Sequence, residues 1–430
     1  MKMFSGLLGA FLLLAGCVSG GGSGDSLDEI AKDYVQLQLE IGEREPGYID
    51  AYYGPAEWQA AAKAAPRSLA DLATAAAELS RRTHDVADSK LERMEQRRRA
   101  FLLAQLKAAE TRLRMLRGEK LSFADEAEGL FGVRPELKPL AAYDPVLARI
   151  EELVPGSGAL ADRVDAFQNS FTIPKERLEP VFRAAIAECK RRTAEHIALP
   201  EGEKFTLEFV TGKSWSGYNW YKGNATSLIQ VNTDLPIRLS RAVDLGCHEG
   251  YPGHHVYNML LEQSLARERG WTEFTVYPLY SPQSLIAEGS ANYGIELAFP
   301  GPERLRYETE ALYPLAGLPL DVAPQYLALQ EAMQELAGAR FTIARDYLEG
   351  RITREQAIEL TRRYQLVSRA RAEQSIAFTD QYRSYVINYG LGQDMVRGHV
   401  EAAGEEPEAR WGRMKTLLSE PTLPQDLANR

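Results

Sequence analysis

Positive charge is the first thing this chain is short of. Its 50 lysines and arginines are outnumbered by 60 aspartates and glutamates, giving a formal net charge of −10. With no basic run interleaved with aromatics, that leaves no electrostatic footprint for nucleic acid. Long apolar runs are also lacking: the run at residues 4–15 is too short to span a bilayer as a mature helix. There is no G-x-x-x-x-G-K-[ST] loop to cradle a phosphate and no G-x-S-x-G elbow to present a nucleophilic serine. No repeat of solenoid period occurs. Cysteine is limited to three residues and histidine to six. What is present is 430 residues, 45% hydrophobic and 26% charged. That is an ordinary globular balance, with enough chain for a large helical core or two fused lobes.

The first residues stand apart. Lys2 gives a positive start, the apolar run follows, and the stretch ends Leu14-Ala15-Gly16-Cys17. A short apolar segment of this kind reads as a signal h-region. Its ending resembles a bacterial lipobox, in which the chain is cut before a cysteine that then carries lipid. The resemblance implies a signal peptide over 1–16, lipidation at Cys17 and a flexible glycine- and serine-rich tether over 17–27. Val18, where an aspartate would signal retention, implies the outer membrane, facing the periplasm. The plainer reading is a secretory signal whose cysteine is incidental. Cys189 and Cys247 then remain, and whether they pair in an oxidising compartment stays open. Cys247 directly precedes a histidine and reads as a small buried thiol rather than a ligand.

Residues 28–200 read as a helical region. Ile30, Tyr34, Leu37 and Ile41 recur at three- and four-residue steps. Leu91, Met94, Leu102, Leu106, Leu113 and Leu116 predict one face of a long helix over 89–117, interrupted by Arg98. Arg97 and Arg99 read as solvated. Further helices are expected over 69–80 and from Ile173 to about residue 198. Beyond residue 201 the texture changes. Residues 205–210 alternate with period two and 227–232 read as another strand, with a Gly-, Trp- and Tyr-rich stretch between them. Helices resume from Pro236, one opened by the capping box Thr353-Arg354-Glu355-Gln356. The expected fold class is mainly α, with a small central sheet preceding the histidine-rich segment of a 201–430 region.

Three of the six histidines fall in Cys247-His248-Glu249-Gly250-Tyr251-Pro252-Gly253-His254-His255. Zinc hydrolysis needs two neutral imidazoles and a carboxylate around the ion, a fourth position for water, and a second carboxylate to take the water's proton. The usual spacing places histidines at i and i+4 of one helix, with glutamate at i+1. Here i+4 is Pro252, which cannot ligate. His254, at i+6, lies about 240° round an ideal helix from His248, and His255, at i+7, lies roughly 10 Å further along. Neither can share an ion with His248 on a straight helix, because ligand nitrogens sit about 2.0–2.1 Å from zinc. The helix must break between them, and Pro252 and Gly253 supply the means. His254 is the preferred second ligand. His255 is the alternative, otherwise placed behind the ligands or in the substrate cleft.

The motif His248-Glu249-x-x-Pro252-Gly253-His254-His255 resembles the signature of a large bacterial family labelled domain of unknown function 885. That family is grouped with the glutamate zincins, among which carboxypeptidase Taq and thimet oligopeptidase are helical relatives with a shorter loop. The resemblance implies a zincin-like, zinc-dependent peptidase acting on peptides. Aligning the Gly-His pair places the second ligand at His254, with Glu249 as general base. It implies a third ligand in Glu288-Gly289-Ser290-Ala291-Asn292-Tyr293, namely Glu288, with Asn292 orienting a ligand and small Gly289 and Ala291 admitting the metal helix closely. Alone, Glu288 would read as an exposed helix carboxylate, and Glu296 is the fallback. Peptide is expected along an edge strand at 227–233, with Asn232, Trp215, Tyr218, Trp220 and Tyr221 either lining the cleft or packing the small sheet. Tyr389 or Tyr385 would supply the oxyanion donor. Iron, cobalt or manganese would also suit mixed His/Glu ligation. Rival readings are hydrolysis of another amide, such as a cell-wall fragment, and ligand binding without catalysis.

Overall fold

The computed structural model describes residues 26–428, so the signal segment, Cys17 and most of the tether lie outside the described residues. The first helix, Leu27–Arg44, begins where the sequence pattern begins. Ser26 and Glu29 form a reciprocal capping box, and Ile30, Tyr34, Leu37 and Ile41 turn inward. The long helix runs Arg93–Leu116, four residues later at its start than the periodicity predicts. Glu92 and Glu95 cap it there, and a short 3₁₀ turn, Asp88–Lys90, precedes it. Leu102, Leu106 and Leu113 are buried as expected.

Arg97, Arg98 and Arg99 of that helix are not left to solvent. Arg98 is buried and paired with buried Glu273, at 2.5 Å and 3.0 Å, and with Asp28 at 2.6 Å. Arg97 reaches Glu420 and the Pro421 carbonyl, while Arg99 donates to the Thr83 and His84 carbonyls. Each guanidinium satisfies main-chain or acidic groups of a distant segment, which local periodicity cannot reveal.

Among the described residues, five short strands interrupt the helices. β1 (Ile49–Tyr52) pairs antiparallel with β5 (Val276–Pro278). β2 (Lys204–Val210), β3 (Gly217–Tyr221) and β4 (Thr226–Asn232) form a sheet in the order β2-β4-β3, with β2 and β4 parallel. β4 is therefore central. Both its edges are occupied, and it cannot take a peptide by strand addition as the sequence suggests. The Gly- and Trp-rich stretch contains the edge strand β3 instead. The capping box at Thr353 is formed.

One hydrophobic core runs through almost the whole chain, from Leu27 to Leu427. A second, smaller core joins residues 143–164 to residues 329–376. The packing crosses residue 200 repeatedly, through β1 with β5 and Arg98 with Glu273. Cys189, on the Leu178–Ala194 helix, forms a disulfide with Cys247, with Cα atoms 5.4 Å apart. The pairing that the sequence leaves open is thus made, and Cys247, buried and not a ligand, fastens the residue before His248 to a packed helix. The bond spans 58 residues, and a loop of that size is worth about 4 kcal/mol by the chain-entropy estimate. A Cys189→Ala/Cys247→Ala variant should accordingly unfold at lower denaturant by several kcal/mol; unchanged unfolding would contradict the cross-link.

Candidate metal centre

The histidine segment is broken as its spacing requires. A helix, Ser240–Leu245, continues into a π turn, Gly246–Gly250. Tyr251 is then extended and the Tyr251–Pro252 peptide is cis. A new helix, His254–Leu261, starts after Gly253. The Gly253 amide returns to the Cys247 carbonyl at 3.0 Å. A Cβ at residue 253 would lie 1.8 Å from the His248 carbonyl oxygen and 2.5 Å from that of Cys247. No residue other than glycine fits.

The break turns two imidazoles onto each other. His248 Nε2 and His254 Nε2 are 3.1 Å apart. Glu288, on the Pro282–Ala298 helix, places Oε2 3.1 Å from the first and 3.7 Å from the second. Bonds of 2.0–2.2 Å to a tetrahedral ion put ligand atoms about 3.3–3.6 Å apart. The three donors bracket that range. Glu288 Oε2 is buried and accepts no properly aligned hydrogen bond. A buried carboxylate oxygen left without a donor is costly, and a cation between the three groups would satisfy it. The donor set therefore fits a single divalent ion.

The supports around these donors are specific. Asn292 donates to the Tyr389 carbonyl at 3.0 Å, which leaves its oxygen for His248 Nδ1 at 2.9 Å. With Nδ1–H so engaged, the Nε2 lone pair points to the shared centre. Tyr385 donates to Glu288 Oε1 at 2.8 Å. Gly289 does not face the histidine helix, as its size suggested. A Cβ there would lie 2.4 Å from the Gly392 backbone, so it allows the Ile387–Glu401 helix to cross closely. The small residue facing the break is Gly294, against Pro252.

Glu249 belongs to the same cluster. Its ligand atom and those of His248 and His254 all lie within 4.8 Å of one another, close enough for it to hold the ion or to act beside it. β3 makes room for it: a Cβ on Gly217 would come within 2.8 Å of Glu249 Oε1. Burial raises the Glu249 pKa. Burial alone would lower His254, but the adjacent Glu288 carboxylate lifts it to about 9. Burial would raise Glu288, and the His254 and His248 imidazoles overcome this and hold it well below the usual range. Burial keeps the Tyr385 and Tyr389 phenols neutral, with pKa values well above 10. The Tyr389 ring stacks on His248 at 6.3 Å, and its hydroxyl has no hydrogen-bond partner among the described residues.

The cluster sits where two cavities meet. An outer one of about 720 Å³ and an inner one of about 60 Å³ share Trp215, Gly217, His248, Glu249, Phe378 and Tyr389. Several expected cleft residues lie elsewhere. His255 is fully buried, with Nδ1 2.8 Å from Ser227 Oγ and Nε2 2.9 Å from Glu203. The serine-histidine-glutamate array resembles a hydrolase triad but borders neither cavity; it ties the segment after the break to β4. Asn232 also misses the cleft, donating instead to the Lys213 and Trp215 carbonyls at 2.8 Å and 3.0 Å. That shapes the loop bringing Trp215 to the site. Trp220 and Tyr221 bond Gln230 and Glu262. Glu296 pairs with Arg397 and lies off the donor cluster. Two residues that sequence reasoning missed border the cavities: Asp50 the inner, Arg340 the outer.

His254→Ala should strip bound metal in elemental analysis. His255→Ala should keep metal but unfold about 1–3 kcal/mol more easily, leaving Ser227 without its partner and Glu203 one donor short; metal loss in the second variant alone would exchange their roles. A pH effect follows from Glu203. Burial would raise its pKa, yet bonds from His255, Lys190 and Tyr251 bring it down to about 2. A depressed carboxylate stabilises the fold above its unfolded pKa and loses that contribution as pH falls. Stability should therefore decline between about pH 5 and pH 2, and less steeply in Glu203→Gln, as chemical unfolding at each pH would show.

No family model matches the chain, and no curated protein does. Among solved structures, the chain superposes on a "putative lipoprotein" from Colwellia psychrerythraea with a TM-score of 0.52 and 16% identity, covering 93% of this chain and 71% of that one. A "putative lipoprotein of unknown function" from Shewanella oneidensis gives a TM-score of 0.49 and 14% identity, over 93% and 81%. An M32 carboxypeptidase from Deinococcus radiodurans R1 gives 0.35 and 15%, over 91% and 88%. The first shows a shared fold.

Proposed function

We propose that the protein is a zinc-dependent peptidase of the bacterial envelope, with the ion held by His248, His254 and Glu288. The observation that carries this reading is the convergence of two imidazole nitrogens and an orphaned carboxylate oxygen where two cavities meet. When bound, zinc would polarise the scissile carbonyl and acidify a water molecule. Glu249 takes the proton as the water oxygen bonds to the carbonyl carbon, then passes it to the nitrogen as the C–N bond breaks. Its burial-raised pKa suits both steps. The free Tyr389 hydroxyl donates to the developing oxyanion. Tyr385, engaged by Glu288, is better placed to hold that ligand still.

An envelope location is supported by the lipobox-like ending at Cys17 and by the lipoprotein description given to the Colwellia fold relative. Attachment through lipid on Cys17 rests on that sequence alone; no helix among the described residues is long and apolar enough to cross a membrane.

Glu249→Gln should retain one metal per chain while peptide hydrolysis falls by about 10²–10⁴-fold. Turnover equal to that of the parent would remove Glu249 from the mechanism. Hydrolysis confined to cell-wall fragments, with none of linear peptides, would favour the other-amide reading.

A further inference from the structure

Asp50 has no role in the chemistry above, yet it faces the reacting groups. It lies on β1 between Ile49, which pairs with Pro278, and Ala51, which pairs with Tyr277. The register slips at this point, so Asp50 is the extra residue of a bulge. Bulges re-aim side chains, and this one directs a carboxylate into the inner cavity alongside His254, Glu288, Tyr277 and Tyr385. One oxygen accepts from the Tyr218 hydroxyl. No described residue donates to the other, and no lysine or arginine among the described residues lies within ion-pair distance of it. Burial accordingly pushes its pKa up to about 6, against the Tyr218 bond. The charged group that acts on it is the His254 imidazole, which belongs to the donor cluster, so a half-buried acid hydrogen-bonded only by a phenol and aimed at an active centre is placed to receive a substrate cation.

The cavity sets the size of that cation. About 60 Å³ is room for roughly four to six waters, and the proposed ion takes part of it, because His248, His254 and Glu288 line the same cavity. That admits an ammonium group and a small side chain, not a peptide segment. The remaining substrate must occupy the outer cavity of about 720 Å³. There Arg340 lies over the rings of Phe378, at 5.0 Å, and Tyr389, at 5.9 Å. Its Nε is buried without a partner, and no described carboxylate pairs with it. An acid inside and an arginine outside match a short zwitterionic peptide entering amino end first.

We propose that Asp50 receives the α-ammonium of the substrate's first residue, making this site an aminopeptidase for short peptides that begin with a small residue. This rests on the peptidase reading above. Zinc-loaded protein would be assayed on Ala-Ala-Ala, Phe-Ala-Ala and N-acetyl-Ala-Ala-Ala. In parallel, calorimetry would measure binding of the same peptides to Glu249→Gln and to Glu249→Gln/Asp50→Asn. Asparagine keeps an acceptor for Tyr218, and thermal unfolding would verify that the fold is intact. The expected result is a strong preference for the free amine over the acetylated peptide, reduced at least ~30-fold in Asp50→Asn, as for loss of a buried charge partner. Ala-Ala-Ala should outpace Phe-Ala-Ala. Equal cleavage of free and acetylated peptide, or a preference untouched by Asp50→Asn, would overturn the amine site while leaving the peptidase reading standing. Asp50-dependent binding of the free-amine peptide with no hydrolysis by the parent protein would retain the amine site and end the peptidase reading.

Discussion

The His248 carbonyl leaves no room for a side chain on residue 253, and the arrangement of the site depends on that contact. An α-helix carries residues 248 and 254 to different faces. Bringing both rings to one point means folding the chain back until residue 253 touches the backbone of the preceding turn. Only glycine permits this approach. The π turn at Gly246–Gly250 and the extended Tyr251 absorb the remaining mismatch. Everything beyond the break serves to hold it: Glu203 bonds Tyr251 and His255, and Gly294 admits Pro252.

A second close contact sets the third donor. Gly289 and Gly392 let two helices cross at backbone distance, and across that crossing run Asn292 to the Tyr389 carbonyl and Tyr385 to Glu288. The same crossing therefore aligns a proposed ligand, the residue that orients another, and both tyrosines. Packing of this kind is rigid, because interiors have little free volume through which a side chain could drift. The centre thus sits on helices rather than loops, which favours fixed geometry over adaptability.

Much of this was legible in the sequence where the signal is local. The helical phase of Ile30, Tyr34, Leu37 and Ile41, the Thr353 capping box and the need for a break before His254 all follow from spacing and residue type. What escaped depends on partners far along the chain. That β4 is central and β3 an edge is a matter of pairing order, which alternation does not encode. Arg97 and Arg99 appear solvated until the segments they bond are known. His255 looked suited to the cleft because its sequence neighbours are, but one step round a helix turned it into Ser227 and Glu203. Asp50 gave no signal, as a lone acid in an aromatic stretch; only the bulge on β1 aims it inward.

The cross-link at Cys247 bears on how firmly the histidine segment is held. Cys247 borders neither cavity, so its sulfur acts on the donor cluster through the backbone it shares with His248 rather than as a donor. Tied to Cys189, that backbone is fastened to a helix outside the cleft. The redox state of a contact away from the cavities thereby becomes coupled to the placement of the first imidazole.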